Sequence, residues 1–181
     1  MVDAVGPFAE YQPAPADRPA PVAITLAEAV AGDLPELAAL KVAERGGTAG
    51  YWAERLARRV PAGPDELVVV ARSGGELVGY AGVTLLTEHP GDGAPAGWYL
   101  SGVTVAPDWR RRGIGGALTD WRLARMRELA VPEVWCFVSA RNPASLDLHR
   151  ALGFTEHGRG RSFQGITFGG GEGVLLVLRL G

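Results

Sequence analysis

The chain has 181 residues, 47% of them apolar and 21% charged, with a formal net charge of −2. That length supports one substantial core, and the composition excludes a disordered or fibrous chain. A balance so near neutrality argues against nucleic acid as a partner, because its binders carry strongly basic faces. No run is apolar for long enough to span a membrane, and Met1 to Glu10 lacks the basic-then-apolar order of a secretory signal, so a cytoplasmic protein is expected.

Residues 1–21 are rich in Pro and Ala, which remove backbone donors and forbid helix, so a flexible or extended arm is predicted ahead of a domain over 22–181. Val22 to Leu26 reads as a strand. Asp33 is placed to cap a helix from Leu34 to Ala43, with Pro35 in its first turn. Tyr51 to Val60 carries Trp52, Leu56 and Val60 at helical spacing and stops at Pro61. Leu67 to Ala71 and Leu77 to Leu86 form a hairpin about Ser73-Gly74-Gly75.

Glu88 to Gly97 is a loop. Trp98 to Val105 is a strand that ends at Pro107-Asp108. An amphipathic helix is predicted over Gly113 to Ala130, with Ile114, Leu118, Trp121 and Ala124 along one stripe. Val134 to Ser139 is a strand containing Cys136, which cannot form an internal disulfide and reads as a small buried hydrophobe. A helix from Pro143 to Leu152 ends at Gly153. Phe154 to Arg159 and Gly173 to Leu180 close the fold as a strand pair, with Gly169-Gly170-Gly171 between them. An antiparallel meander followed by strand–helix–strand demands one parallel neighbour.

The segment Arg110-Arg111-Arg112-Gly113-Ile114-Gly115-Gly116 lies between a strand and a helix. The first N–H groups of a helix have no internal partners, and the dipole adds partial positive charge there. Glycines let that backbone approach an anion, and arginines add charge-assisted donors. A phosphorylated ligand, most simply a pyrophosphate, is implied. A P-loop would need Lys and then Ser or Thr after its second glycine, where the chain has Ala117-Leu118. The Rossmann fingerprint would need Gly or Ala where Leu118 stands.

With Val103 to Trp109 ahead of it, this segment resembles the acetyl-CoA signature of the GNAT superfamily of N-acetyltransferases. A second stretch, Asn142-Pro143-Ala144-Ser145 through His149 to Leu152-Gly153-Phe154, is similar to a second family hallmark. The resemblance implies an α/β (α+β) fold with a mixed, mostly antiparallel sheet of six to seven strands. It implies a central splayed parallel pair and about four flanking helices.

It also implies that acetyl-CoA is the cosubstrate, with no metal. Main-chain groups of Val103, Thr104 and Val105 would face the pantetheine arm. Arg110, Arg111, Arg112, Gly113, Ile114, Gly115, Gly116 and Ala117 would hold the pyrophosphate, and Asn142 and Ser145 would lie near the thioester. Many relatives have Tyr seven residues after the Asn; here that position is His149, whose imidazolium could protonate the departing thiolate.

The position where relatives often carry a carboxylate base is Tyr99. A phenol titrating near ~10 is a poor base, so a pocket-lining or water-orienting role is expected. Glu88 and His89 are further candidates, with solvated loop residues as the plainer account. Trp52, Tyr80 and Trp98 are candidates to line the acceptor site, with core packing as the alternative, the stronger one for Trp52 at its helical spacing. The acceptor is expected to be a small-molecule amine, with protein or peptide N-acetylation and a non-catalytic acyl-CoA sensor as the alternatives. A homodimer follows by analogy only.

Overall fold

The computed structural model describes residues 22–61 and 63–181; the arm predicted over 1–21 lies outside the described residues. A seven-stranded sheet has the order β1-β2-β3-β4-β5-β9-β6. Its strands are β1 (Thr25–Glu28), β2 (Glu66–Ser73), β3 (Glu76–Leu86), β4 (Gly97–Val105), β5 (Glu133–Ser139), β6 (Thr155–Gly160) and β9 (Gly173–Arg179). A separate two-stranded hairpin pairs β7 (Ser162–Phe163) with β8 (Ile166–Thr167). The helices are α1 (Leu34–Arg45), α2 (Ala49–Ala57), α3 (Ile114–Glu128) and α4 (Pro143–Ala151). The chain is a mixed α/β fold with one parallel pair, β4 with β5, in an otherwise antiparallel sheet.

The described residues divide into two compact units. One comprises 22–84 and Leu100–Arg125; the other comprises Leu85–Tyr99 and Met126–Gly181. In the first unit β2 is a continuous apolar strand, buried from Leu67 to Ala71. It returns into β3 through Gly74 and Gly75, whose φ values of 56° and 89° suit a two-residue hairpin turn that β-branched residues could not make. Leu37, Ala38 and Leu40 of α1 and Leu56 of α2 pack with Val68, Val70 and Tyr80. Ile114 and Leu118 of α3 pack with Val69, Ala71, Val78 and Ala81. Alternate residues of β2 thus serve two separate cores, as a period of two requires.

The second unit is built on β5 and β9, antiparallel from Glu133↔Arg179 to Ser139↔Gly173. Tyr99, Trp135, Phe163, Phe168 and Leu175 form its core, with Ala94 beneath the loop. Cys136 is buried in β5. The β7–β8 hairpin, absent from the sequence reading, is held by Asp92. Its carboxylate accepts the Gly165 N–H at 3.0 Å and the Ala94 N–H at 3.3 Å, while His89 Nδ1 stands 3.1 Å away. Burial alone would raise the Asp92 carboxyl, but those donors and the neighbouring imidazole outweigh it and hold the group below the ordinary range.

Four sequence expectations are corrected. The first strand is Thr25–Glu28 rather than Val22–Leu26, and Val22, Ile24 and Leu26 pack partly buried against the α3-side core. Asp33 stands at the head of α1 but does not cap it. Its carboxylate accepts the Val30 N–H at 2.8 Å and the Arg72 guanidinium at 2.7 Å. Helix α2 ends at Ala57, so Arg59 is freed to reach Glu66. In α3, Ala124 is exposed, and the buried face beyond Leu118 passes through Thr119, Arg122, Leu123 and Met126.

Candidate acetyl-CoA site

Strand β4 ends at Val105. The Ala106 N–H donates to the Val78 carbonyl at 2.9 Å, and a single 3-10 turn over Pro107–Trp109 redirects the chain. Arg110 Nε returns to the Val105 carbonyl at 3.1 Å, closing the turn. Arg111 adopts φ 66° and Gly113 φ 84°. A left-handed residue that is not Gly costs on the order of 1 kcal/mol or more, so strain is concentrated just ahead of α3. Such curled backbone is a known way to make an anion-binding concavity.

Helix α3 begins at Ile114, and the Ala117 N–H already donates to the Gly113 carbonyl at 3.0 Å. The groups left without an acceptor within the helix are therefore the N–H groups of Ile114, Gly115 and Gly116. Gly113 has no side chain with which to cap them, and nothing lies within 4 Å of where a Cβ would stand on Gly113 or Gly116. The Arg112 guanidinium stacks over Trp109 at 5.6 Å, and its Nε is buried with no acceptor among the described residues. Open amides, dipole and an orphaned donor meet in one short segment, as a diphosphate needs. Of the residues proposed for this role, Ala117 alone has its amide engaged by the helix itself.

Just before this turn, solvent reaches Gly102 and Val103, the latter 40% exposed, although β4 is an interior strand of the sheet. The β4–β5 ladder is registered at Trp98↔Val134 and Tyr99↔Trp135, at the opposite end of β4. Thr104 is 5% exposed and its hydroxyl donates to Glu44 at 3.0 Å, so this residue offers a ligand its main chain only. A Cβ on Gly79 would stand 2.9 Å from the Thr104 carbonyl; glycine there lets β3 and β4 approach.

Helix α4 is organised differently. Asn142 is its N-cap: the side-chain oxygen accepts the Ser145 N–H at 3.1 Å, and Pro143 follows at the first helical position. His149 Nδ1 lies 2.7 Å from the Ser145 carbonyl. A carbonyl only accepts, so Nδ1 carries the hydrogen and Nε2 is the nitrogen that gains and loses a proton. Phe154 meets the imidazole edge-on with centroids 5.2 Å apart, fixing the ring plane.

Tyr99 is 1% exposed and donates its hydroxyl to the Pro95 carbonyl at 2.7 Å, between Trp135 and Phe137. Tyr99 is part of the core, and burial pushes its phenol above the ordinary value, which makes it a still poorer proton acceptor. Trp52 and Tyr80 come together about Lys41, whose ammonium is 5.8 Å and 5.4 Å from their ring centroids. Lys41 also pairs with Glu44 at 2.7 Å. Burial would raise the Glu44 carboxyl, yet Lys41 and Thr104 hold it below its usual range. Trp98 is half-buried in the β4–β5 ladder.

The sequence reading missed a polar group beneath β4. Arg59 pairs with Glu66 and donates to the Thr84 hydroxyl at 3.2 Å and the Ser101 hydroxyl at 3.0 Å. Arg122 is 1% exposed inside the α3 face. Its position next to Leu118 and Thr119 on the buried stripe was the available signal, masked by the habit of reading arginine as surface. Among the described residues no cluster of three His, Cys, Asp or Glu is arranged to hold a metal, and no helix is long and apolar enough to cross a membrane.

A mixed sheet with one parallel pair and a glycine-bearing turn after β4 define an α/β protein whose α3 start is suited to an anion. The sequence profile of the acetyltransferase (GNAT) family matches residues 36–154, and the chain belongs to that family. It is 34% identical over 116 residues to the N-alpha-acetyltransferase RimI of Mycobacterium tuberculosis, covering 64% of this chain and 69% of that protein. It is 30% identical over 79 residues to a ribosomal-protein-alanine N-acetyltransferase of Escherichia coli, covering 44% of this chain. The match spans 53% of that relative's length, about half. A solved ribosomal-protein-alanine N-acetyltransferase from Brucella melitensis superposes with a TM-score of 0.63 at 27% identity, covering 86% of this chain and 99% of that one.

Proposed function

We propose that the chain transfers the acetyl group of acetyl-CoA to a primary amine by direct attack. Acetyl-CoA supplies the activated thioester. The N–H groups of Ile114, Gly115 and Gly116, with Arg112, hold its diphosphate; the single observation that carries this is the set of open amides beside an orphaned buried guanidinium nitrogen. Arg110 and Arg111 flank that turn, and Arg110 also braces it through the Val105 carbonyl. The exposed main chain at Gly102 and Val103 faces the pantetheine and polarises the thioester carbonyl through an N–H.

His149 Nε2 gives its proton to the departing thiolate. Transfer from an imidazolium, ordinarily near ~6.5, to a thiolate whose conjugate acid lies near ~8.5 runs downhill. Asn142 and Ser145 then act on the reaction through α4, as its cap and as the carbonyl that orients the imidazole. With Tyr99 buried, a water takes a proton from the acceptor's ammonium, and the neutral amine then attacks the thioester carbonyl. The acceptor is the α-amine of a peptide or protein, a reading supported by the activities for which the relatives are named. A small-molecule amine is the second reading, supported by a 34% match over 90 residues to a mycothiol acetyltransferase of Thermobifida fusca.

A thiol-release assay with acetyl-CoA against N-terminal peptides and small amines tests both. Turnover on peptides with free α-amines supports the first reading, and turnover confined to small amines supports the second. Tight binding of coenzyme A with no turnover on any amine would instead make the chain an acyl-CoA sensor.

A further inference from the structure

Arg122, 1% exposed, is among the largest fully buried side chains of the described residues. An apolar residue of similar volume would fill the space with a smaller desolvation penalty, so its polar geometry calls for an explanation. Nη1 donates to the Gly82 carbonyl of β3 at 2.8 Å and to the Ser101 carbonyl of β4 at 3.1 Å, bridging neighbouring strands. Nη2 donates to the Thr119 hydroxyl at 3.0 Å. Having accepted there, Thr119 donates its own proton to the Gly115 carbonyl at 2.9 Å.

A continuous run of hydrogen bonds therefore leads from Ser101 through the guanidinium and Thr119 to Gly115. One end precedes Gly102 and Val103, the exposed stretch of β4. The other lies in the first turn of α3, where a Cβ on Gly115 would stand 3.7 Å from Val103 Cγ1. Ser101 is also held at its hydroxyl by Arg59. A Cβ on Gly82 would stand 2.6 Å from Ser101 Oγ and 2.7 Å from Arg59 Nη2, so glycine is what lets the two arginines converge on Ser101. Packing alone needs no such convergence; fixing a main-chain position does.

We propose that Arg122 is a positioning residue for acetyl transfer, fixing the Gly102–Val103 main chain through Ser101 and tying it through Thr119 to the amide-bearing turn at Gly115. The inference rests on the acetyl-CoA reading above, because that reading assigns those two segments to the thioester and the diphosphate. Arg122 itself touches neither. A displacement of about 1 Å at a reacting centre lowers rate by up to about a hundredfold, with much less effect on distributed binding contacts.

The test compares Arg122→Lys, Thr119→Val and Thr119→Ser with the wild-type chain by kcat, by calorimetric Kd for coenzyme A, which has no acetyl carbonyl, and by Tm. In Arg122→Lys, kcat is expected to fall about ten- to a hundredfold while the coenzyme A Kd moves less than about threefold. Thr119→Val is expected to lower kcat by a smaller factor, and Thr119→Ser, which keeps the hydroxyl, to restore it. Wild-type kcat in folded Arg122→Lys and Thr119→Val would overturn the proposal. So would kcat and coenzyme A affinity falling together with Tm, the mark of a packing role. If Arg122→Lys does not fold, the Thr119 pair decides, and equal kcat in the two overturns it. Wild-type chain that binds no coenzyme A would overturn the acetyl-CoA reading as well; the other outcomes strike this inference alone.

Discussion

The two helices that carry the family hallmarks treat their N-termini in opposite ways. Helix α4 satisfies its first turn internally: Asn142 accepts the Ser145 N–H and Pro143 has no N–H to satisfy. Helix α3 starts behind a glycine, and its first three amides have no acceptor within the helix. Forgoing a side-chain cap for glycine costs only about a few tenths of a kcal/mol, and it leaves the first-turn amides open for a ligand to complete. On the function proposed above, α3 binds ligand through its backbone, and α4 holds one side chain, His149, in a fixed orientation.

The sharpest way to break that contrast is to put charge into the open turn. Gly115→Asp is expected to weaken coenzyme A binding by at least about a hundredfold, since like charges forced together cost several kcal/mol. A Cβ at Gly115 meets only ordinary van der Waals contact with Val103, so Tm should hold and a calorimetric loss reports on the ligand. Retained affinity would mean that the turn is not the diphosphate site.

His149→Ala comes next in size. It should lower kcat about ten- to a thousandfold and leave the coenzyme A Kd nearly unchanged. Wild-type turnover would remove the imidazole from the reaction.

Asn142→Ala is expected to act through the cap alone, lowering stability by about 1 kcal/mol and Tm by about 2–4 °C. A changed KM for acetyl-CoA at native Tm would instead make Asn142 a ligand residue and weaken the contrast.

The smallest effect is a pH dependence. Asp92 is held below its ordinary value, so its ionised form is favoured in the folded chain. The stability it contributes is fully present above the unfolded value, near ~3.9, and is lost as pH falls through the lowered folded value. The Tm difference between wild-type and Asp92→Asn should therefore shrink in strong acid. A difference that persists there would show that Asp92 acts through something other than its charge.

The fold's order was legible because each segment's period matched its element: β2 as an unbroken apolar run, β5 likewise, and the turn at Gly74-Gly75. The turn proposed for the diphosphate stood out in sequence through glycines and arginines placed between a strand and a helix. What stayed hidden depends on tertiary context. The two-residue strands β7 and β8 are too short to show a period, and Asp92 holds them from far along the chain. Arg122 and Thr119 look polar in sequence and lie in the core, because they are satisfied by main-chain carbonyls and by each other, which no pattern displays. Asn142 was read from resemblance as a neighbour of the thioester, although Asn followed by Pro is itself a helix-start signal. Tyr99 carried the position of a base in the family pattern, and only its burial revealed it as core.

The central claim is that amides at the head of α3 grip a diphosphate, and it is tested most directly by titrating the wild-type chain with coenzyme A and with pantetheine in parallel. Coenzyme A should bind at least about a hundredfold tighter than pantetheine, which shares the arm and lacks the diphosphate. Equal affinity for the two would contradict the account.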